Sequence, residues 1–228
     1  MQIEKLDNSV WNSLNETHQD FAVDYEGVNF YKPDYCPFGG FINTEKTKIA
    51  IDEYAKLANN FYLVGNKPNF NNKVQLNKEL VCNQMLIDKP INIEITEPVM
   101  ELQTTNHKAD LFALVNLVQP GYFKDNTADL GNYYGIYKEN KLVAVTGERM
   151  KMNDYTELSA VVTHPEHTGK GYAKQLLVYA SSKIFNENKT PFLHVADTNI
   201  GAIKLYEKLD FRTRKKISFW NFIANNIQ

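Results

Sequence analysis

Along the chain, apolar residues fall at helical spacing in some stretches and alternate with polar residues in others, and that contrast predicts most of the elements. After residue 97 the pattern is regular. Leu111, Leu114, Val115 and Val118 predict a helix over 107–118, stopped by Pro120 and Gly121. Three β-prone runs at 133–137, 142–148 and 157–163, joined by polar turns at 138–141 and 152–154, predict an antiparallel meander. Ala173, Leu176, Leu177, Ala180 and Ile184 share one face of a helix expected over 171–185. A short strand at 192–196, a helix at 201–209 and a closing strand at 215–223 complete this part.

The first third is less tidy. A short helix is expected over 9–20, and a second near Thr44 that carries Ile49, Tyr54, Leu57 and Ala58. Residues 61–64 and 80–87 read as strands, and Ile91, Ile93 and Ile95 alternate with polar residues. Residues 31–41 hold Pro33, Pro37, Gly39 and Gly40 among four aromatics, which reads as a packed loop. A boundary near Glu97 and Pro98 divides a smaller α/β region, 1–96, from a domain at 97–228. No internal repeat is visible in the residues themselves.

Composition narrows the classes. Hydrophobic residues make up 43% and charged residues 23% of the 228, an ordinary balance for a folded globular chain. Lysine and arginine total 25 against 27 acidic residues, a net charge of -2, so no broad positive field exists to hold nucleic acid. The first seven residues include Glu4 and Asp7 and no apolar core of a leader, and no later run has the length of a membrane span. A soluble, cytoplasmic protein without a membrane partner is expected. Cys36 and Cys82 are far apart and have no CxxC or CxxH companion, so they read as reduced, buried thiols.

The chemistry concentrates where the strand ending at Val161, Val162 and Thr163 runs through His164-Pro165 into Gly169-Lys170-Gly171-Tyr172-Ala173-Lys174. A helix N-terminus presents unpaired amides and a partial positive charge, and glycines let that backbone approach an anion, so the junction suits a diphosphate. It is neither of two familiar phosphate loops. A Walker A loop needs glycine where His164 stands and Ser or Thr where Gly171 stands, and a Rossmann turn needs a third glycine where Lys174 stands. His164 and His167 have HxxH spacing, but only Glu166 is near as a third ligand, so no metal is expected. His18 and His107 stand in no motif.

Residues 163–173, Thr-His-Pro-Glu-His-Thr-Gly-Lys-Gly-Tyr-Ala, resemble the signature loop of the GNAT N-acetyltransferase superfamily, Gln/Arg-x-x-Gly-x-Gly/Ala, with Thr168 in place of Gln or Arg. Residues 199–211, Asn-Ile-Gly-Ala-Ile-Lys-Leu-Tyr-Glu-Lys-Leu-Asp-Phe, resemble the same superfamily's N-x-x-A-x-x-L-Y-E-K-x-G-F helix, with Asp210 in place of Gly. Both blocks stand in the superfamily's order, and the likeness, over about 100–228, is nearest to the branch of glycine N-acyltransferase-like proteins.

The resemblance implies a mixed, largely antiparallel sheet flanked by helices; it does not explain the 1–96 region, which is either a degenerate half of similar topology or an unrelated cap. It implies acetyl-CoA, or a short acyl-CoA, as donor. The exposed edge of Val161, Val162 and Thr163 would pair with the pantetheine amides, Gly169 to Lys174 would seat the diphosphate, and Asn199 would touch the donor beyond the splay. Direct attack by an amine would pass through an oxyanion stabilised by an N–H near Val161 or Val162, and Tyr206 would protonate the leaving thiolate. Glu157 and His194 are competing candidates for the base that takes the amine's proton. The acceptor would be a small-molecule or amino-acid amine. The alternative is a non-catalytic acyl-CoA-binding or sensing module. The aromatic loop of the first third is a candidate surface for pairing with a second copy of the chain.

Overall fold

The computed structural model describes residues 3–225. A 3-10 turn at Ile3–Asn8 leads into α1 (Ser9–Asn15), followed by β1 (Ala22–Asp24), β2 (Val28–Tyr31), β3 (Phe38–Phe41), α2 (Thr47–Tyr54), β4 (Asn60–Val64) and β5 (Val74–Leu86). A connection over 87–99 leads to β6 (Met100–Glu101), α3 (Thr105–Val118), and the meander β7 (Tyr133–Lys138), β8 (Lys141–Lys151) and β9 (Tyr155–Thr163). The chain ends with α4 (Tyr172–Asn186), β10 (Thr190–Ala196), α5 (Ile200–Glu207) and β11 (Arg212–Ala224).

The expected elements after residue 97 are all present, with ends displaced by a few residues. α3 starts earlier than its apolar spacing because its start is set by polar groups. Thr104 accepts from His107 N at 3.2 Å and His107 Nδ1 accepts from Thr104 N at 3.4 Å, closing a capping box. The first third differs more. The expected helix over 9–20 ends at Asn15, and the segment read as a loop over 31–41 contains strand β3. Its glycines mark close packing: a Cβ on Gly39 would lie 2.4 Å from the Phe30 ring, and one on Gly40 2.5 Å from Trp11 N. Ile91, Ile93 and Ile95 lie outside any strand and pack, half-buried, against the cluster beneath α4.

The eleven strands of the described residues form one mixed, mostly antiparallel sheet in the order β1-β2-β3-β4-β11-β5-β10-β9-β8-β7-β6. The order has a two-fold plan about its centre. On each side a helix connects two parallel strands, α2 between β3 and β4 and α4 between β9 and β10. Each side also contributes a strand of 13 residues, β5 or β11, which inserts between the other side's parallel pair and that side's own last strand. These two pair antiparallel from Arg212↔Leu86 to Ala224↔Val74.

Alternation along β8 and β9, interrupted on β8 by a register shift at Val143, places helices on both faces. Val145 and Val162 face α3, against Leu111, Leu114 and Val115, whereas Val143, Ala144 and Leu158 face α4, against Leu176, Leu177, Ala180 and Ile184. The last four are fully buried, and burying each Leu or Ile is worth about 1.5–3 kcal/mol. This packing fixes the angle at which α4 leaves β9. No helix among the described residues is long and apolar enough to cross a membrane.

Candidate functional site

The parallel strands β9 and β10 are paired only at Tyr155↔Thr190, Thr156↔Pro191 and Glu157↔Phe192. Beyond that point β9 stays with β8 and β10 stays with β5, so a cleft opens at their C-terminal ends. Such a gap beyond the carboxyl ends of parallel strands is a usual place for a ligand. Inside it β9 carries a bulge: Val145 pairs Val162 and Gly147 pairs Ser159, so β9 has one residue more than β8, and Ala160 takes φ 50°. A bulge breaks the ladder and re-aims its amides. The cleft, about 250 Å³, is lined by Leu158, Ser159, Ala160 and Val161 on one side and by Val195, Ala196, Asn199, Ala202 and Tyr206 on the other.

Of the predicted edge, Val162 is buried under α3, while Val161 is half-buried beside the cleft and Thr163 pairs Ala144 at the strand end. Asn199 caps α5, its Oδ1 accepting from Ala202 N at 3.2 Å, and the residue lines the cleft.

The loop after β9 has the features a diphosphate requires. Gly169 and Gly171 stand at φ 76° and 78°, and a Cβ built on either meets nothing within 4 Å. Glycine is needed there for its backbone angle, and the space beside it is open. Gly171 is the N-cap of α4, so the first-turn amides of Tyr172, Ala173 and Lys174 point out of the helix end. Lys170 is exposed with its Nζ 3.4 Å from His167 Nδ1, and Lys174 is likewise exposed. Tyr172 differs from its neighbours: its ring is buried with Lys138 Nζ 5.6 Å above it, so only its amide faces outward. The predicted HxxH pair is structural, His164 Nδ1 accepting from Glu166 N at 3.3 Å to cap the 3-10 turn Pro165–His167.

Tyr206 is 6% exposed, and burial pushes its phenol up to about 12, so it keeps its proton at any neutral pH. The two candidate bases are in contact. His194 Nδ1 lies 2.8 Å from Glu157 Oε1, and Arg149 makes a forked pair with the same carboxylate through Nε (2.8 Å to Oε2) and Nη2 (2.9 Å to Oε1). Glu157 is fully buried. Burial would raise its pKa, but the Arg149 charge and the bonds from His194 and Arg149 outweigh it and leave the carboxyl lowered to about 2. A carboxylate held in that form has little drive to take a proton from an ammonium.

His194 is also committed. Gln84 Oε1 accepts from Arg214 Nε at 2.8 Å, so the Gln84 amide nitrogen faces Leu6 O at 2.8 Å and His194 Nε2 at 3.0 Å. The imidazole therefore accepts at Nε2 and donates at Nδ1 to Glu157, the one neutral tautomer that satisfies both partners. Arg214 continues to Asp7 through Nη2. The sequence reading brought out Glu157 and His194 but not the groups that bind them. Arg149 had no distinctive signal, since it stands beside Glu148 and two residues before Lys151 in the polar part of its strand run. Gln84 had none, since only the insertion of β5 beside β10 brings it to His194.

Comparison with known proteins agrees with this geometry. Residues 133–220 match the model of the FR47-like protein family. The crystal structure of a putative acetyltransferase from the GNAT family of Novosphingobium aromaticivorans is 27% identical and superimposes with a TM-score of 0.86, over 97% of this chain and 99% of that one. A GCN5-related N-acetyltransferase from Kribbella flavida is 12% identical with a TM-score of 0.63, over 95% and 94% of the two chains. A tandem GNAT protein from the clavulanic acid biosynthesis pathway is 12% identical with a TM-score of 0.58, over 88% and 79%. The last two show likeness of fold alone. No curated protein matches the chain. With its splayed parallel strands, its glycine-started helix and the FR47-like match across β7 to β11, the chain has a GNAT-like fold.

Proposed function

We propose that the chain transfers an acetyl or other short acyl group from CoA to an amine, by direct attack while both substrates are bound. The observation that carries this reading is the coincidence, at one end of the sheet, of the β9–β10 splay, the bulge at Ala160 and the open glycine turn that starts α4. Acyl-CoA supplies an activated thioester, and the residues named here position it. The amides from Gly169 to Lys174 receive the diphosphate, the free edge of β9 around Val161 receives the pantetheine amides, and an amide freed by the bulge faces the thioester oxygen. Tyr206, protonated and at the cleft wall, gives its proton to the departing thiolate. Glu157 and His194 hold each other and Arg149 in place, and the amine's proton leaves through water.

In this reading the 1–96 region is a degenerate half that walls the acceptor side, the chain works in the cytoplasm, and the acceptor is a small-molecule or amino-acid amine. The bound state of both candidate bases favours one alternative, a module that binds acyl-CoA without turnover. A screen of amines and amino acids with acetyl-CoA, following release of free thiol, separates the two. Turnover on any acceptor supports the transferase, and tight CoA binding with no turnover on all of them supports the alternative.

A further inference from the structure

Building on that reading, we propose that Arg149 recognises an anionic group on the acceptor, so that the acceptor is an amine that also carries a carboxylate. Beyond Tyr206 the cleft continues toward the N-terminal half, under Phe38 and Phe219. Among the described residues that line it, Arg149 is the one charged side chain. Its guanidinium lies 4.7 Å from the centre of the Phe38 ring. Nε and Nη2 are spent on Glu157, and a guanidinium has five N–H donors, so the Nη1 edge remains for a ligand.

The open edge of the guanidinium selects the ligand. Glu157 is fully covered and does not line the cleft, so an entering ammonium group finds no carboxylate to receive it there. An entering carboxylate finds a planar fork of donors in a low-dielectric wall, where charge-assisted bonds are strongest. Gly147 pairs with Ser159 beside the bulge, and Arg149 is two residues further along β8, so the guanidinium stands on the strand next to the bulged edge of the cleft. The fork is also held rigidly. Asp7, Arg214, Gln84, His194 and Glu157 form a continuous chain of polar contacts that ends on Arg149, drawing on both halves of the molecule.

The test measures binding of product-like probes to the CoA-loaded protein by calorimetry: the N-acetyl derivatives of glycine, leucine and phenylalanine, each paired with its carboxamide. At least one acid is expected to bind 10-fold or more tightly than its carboxamide. The Arg149→Met change is expected to abolish that preference, and Arg149→Lys to keep part of it. If Arg149→Met alone fails to fold, the double change with Glu157→Gln removes both buried charges together and serves in its place. Equal or tighter binding of the carboxamides, no binding of any acid, or an unchanged preference without the guanidinium overturns the proposal. CoA affinity is measured first. Normal CoA binding with no acid preference sinks this inference alone, whereas absence of CoA binding sinks it together with the donor-site reading.

Discussion

The two sides of the sheet share one plan, and they differ in what surrounds the ends of their parallel strands. On the C-terminal side β9 and β10 part after three paired positions, the turn into α4 has two left-handed glycines, and α5 supplies Asn199 and Tyr206. On the N-terminal side the turn into α2 has no glycine, and Asn43 Oδ1 accepts from Glu45 N at 3.0 Å, so a side chain of the protein satisfies the amide at that start. No helix lies between β4 and β5, so nothing corresponds to Tyr206. Phe30, Tyr54 and Phe61 pack in the core of this side, with the Phe30 and Tyr54 rings stacked at 4.0 Å, and the opening beside the ends of β3 and β4 is lined by Asn8, Phe41, Val64 and Gly65. The lesson is that the topology provides a place for a donor twice, and a glycine turn and a following helix equip one of them.

The largest expected effect comes from closing the open place. Changing Gly169 and Gly171 together to Val forces β-branched residues to positive φ and is expected to weaken CoA binding at least 100-fold, whereas Asn43→Ala, which removes the matching cap, should leave CoA affinity unchanged and cost about 1 kcal/mol of stability. Calorimetry and thermal melting of both variants read the contrast, and equal CoA affinity in the two would remove the distinction between the halves.

Next in size, Tyr206→Phe is expected to lower kcat roughly 100-fold while KM for acetyl-CoA stays within about 3-fold, the mark of a group that acts on the leaving thiolate. An unchanged kcat would assign Tyr206 to packing against Phe211.

A smaller effect tests the packing of the N-terminal side. Gly39→Ala drives a methyl into the Phe30 ring and is expected to cost about 1–3 kcal/mol, seen as a lower melting temperature with normal CoA affinity. Loss of CoA binding in that variant would mean that the N-terminal gap takes part in donor binding.

Acid should also act on the two sides differently. His18, buried beside Ser13 and Tyr31, is lowered to about 4 because burial disfavours its charged form. As pH falls below 6.5 the unfolded chain takes up a proton that the folded ring refuses, so stability drops by about 3 kcal/mol by pH 4. Glu157, lowered from 4.5 to about 2, contributes stability that is complete above 4.5 and is lost only as pH falls toward 2. Denaturant titrations from pH 7 to 4 should show the loss in the native protein and a flatter curve in His18→Gln. An equal slope in both would assign the acid sensitivity elsewhere.

How much of this was legible in the sequence follows from the range of the forces involved. The regular elements after residue 97 were legible because each is set by local periodicity, and the glycine turn into α4 was legible because glycine at a helix start is a local backbone requirement. β3 was read as a loop because Gly39 and Gly40 look like turn residues until Phe30 and Trp11, distant in sequence, are seen pressed against them. The relation of Glu157 to His194 was also hidden. They are partners joined by a 2.8 Å contact across the pairing of β9 with β10, and the groups that commit them, Arg149 and Gln84, arrive on β8 and β5. His18 and His107, which stand in no motif, turn out to hold a buried network and a helix cap.

The most direct test of the donor site is a crystal structure of the protein with CoA bound. The diphosphate should lie within hydrogen-bonding distance of the amides from Gly169 to Lys174, with the pantetheine arm running between β9 and β10. A diphosphate seated between β3 and β4, or anywhere away from the start of α4, would contradict the account.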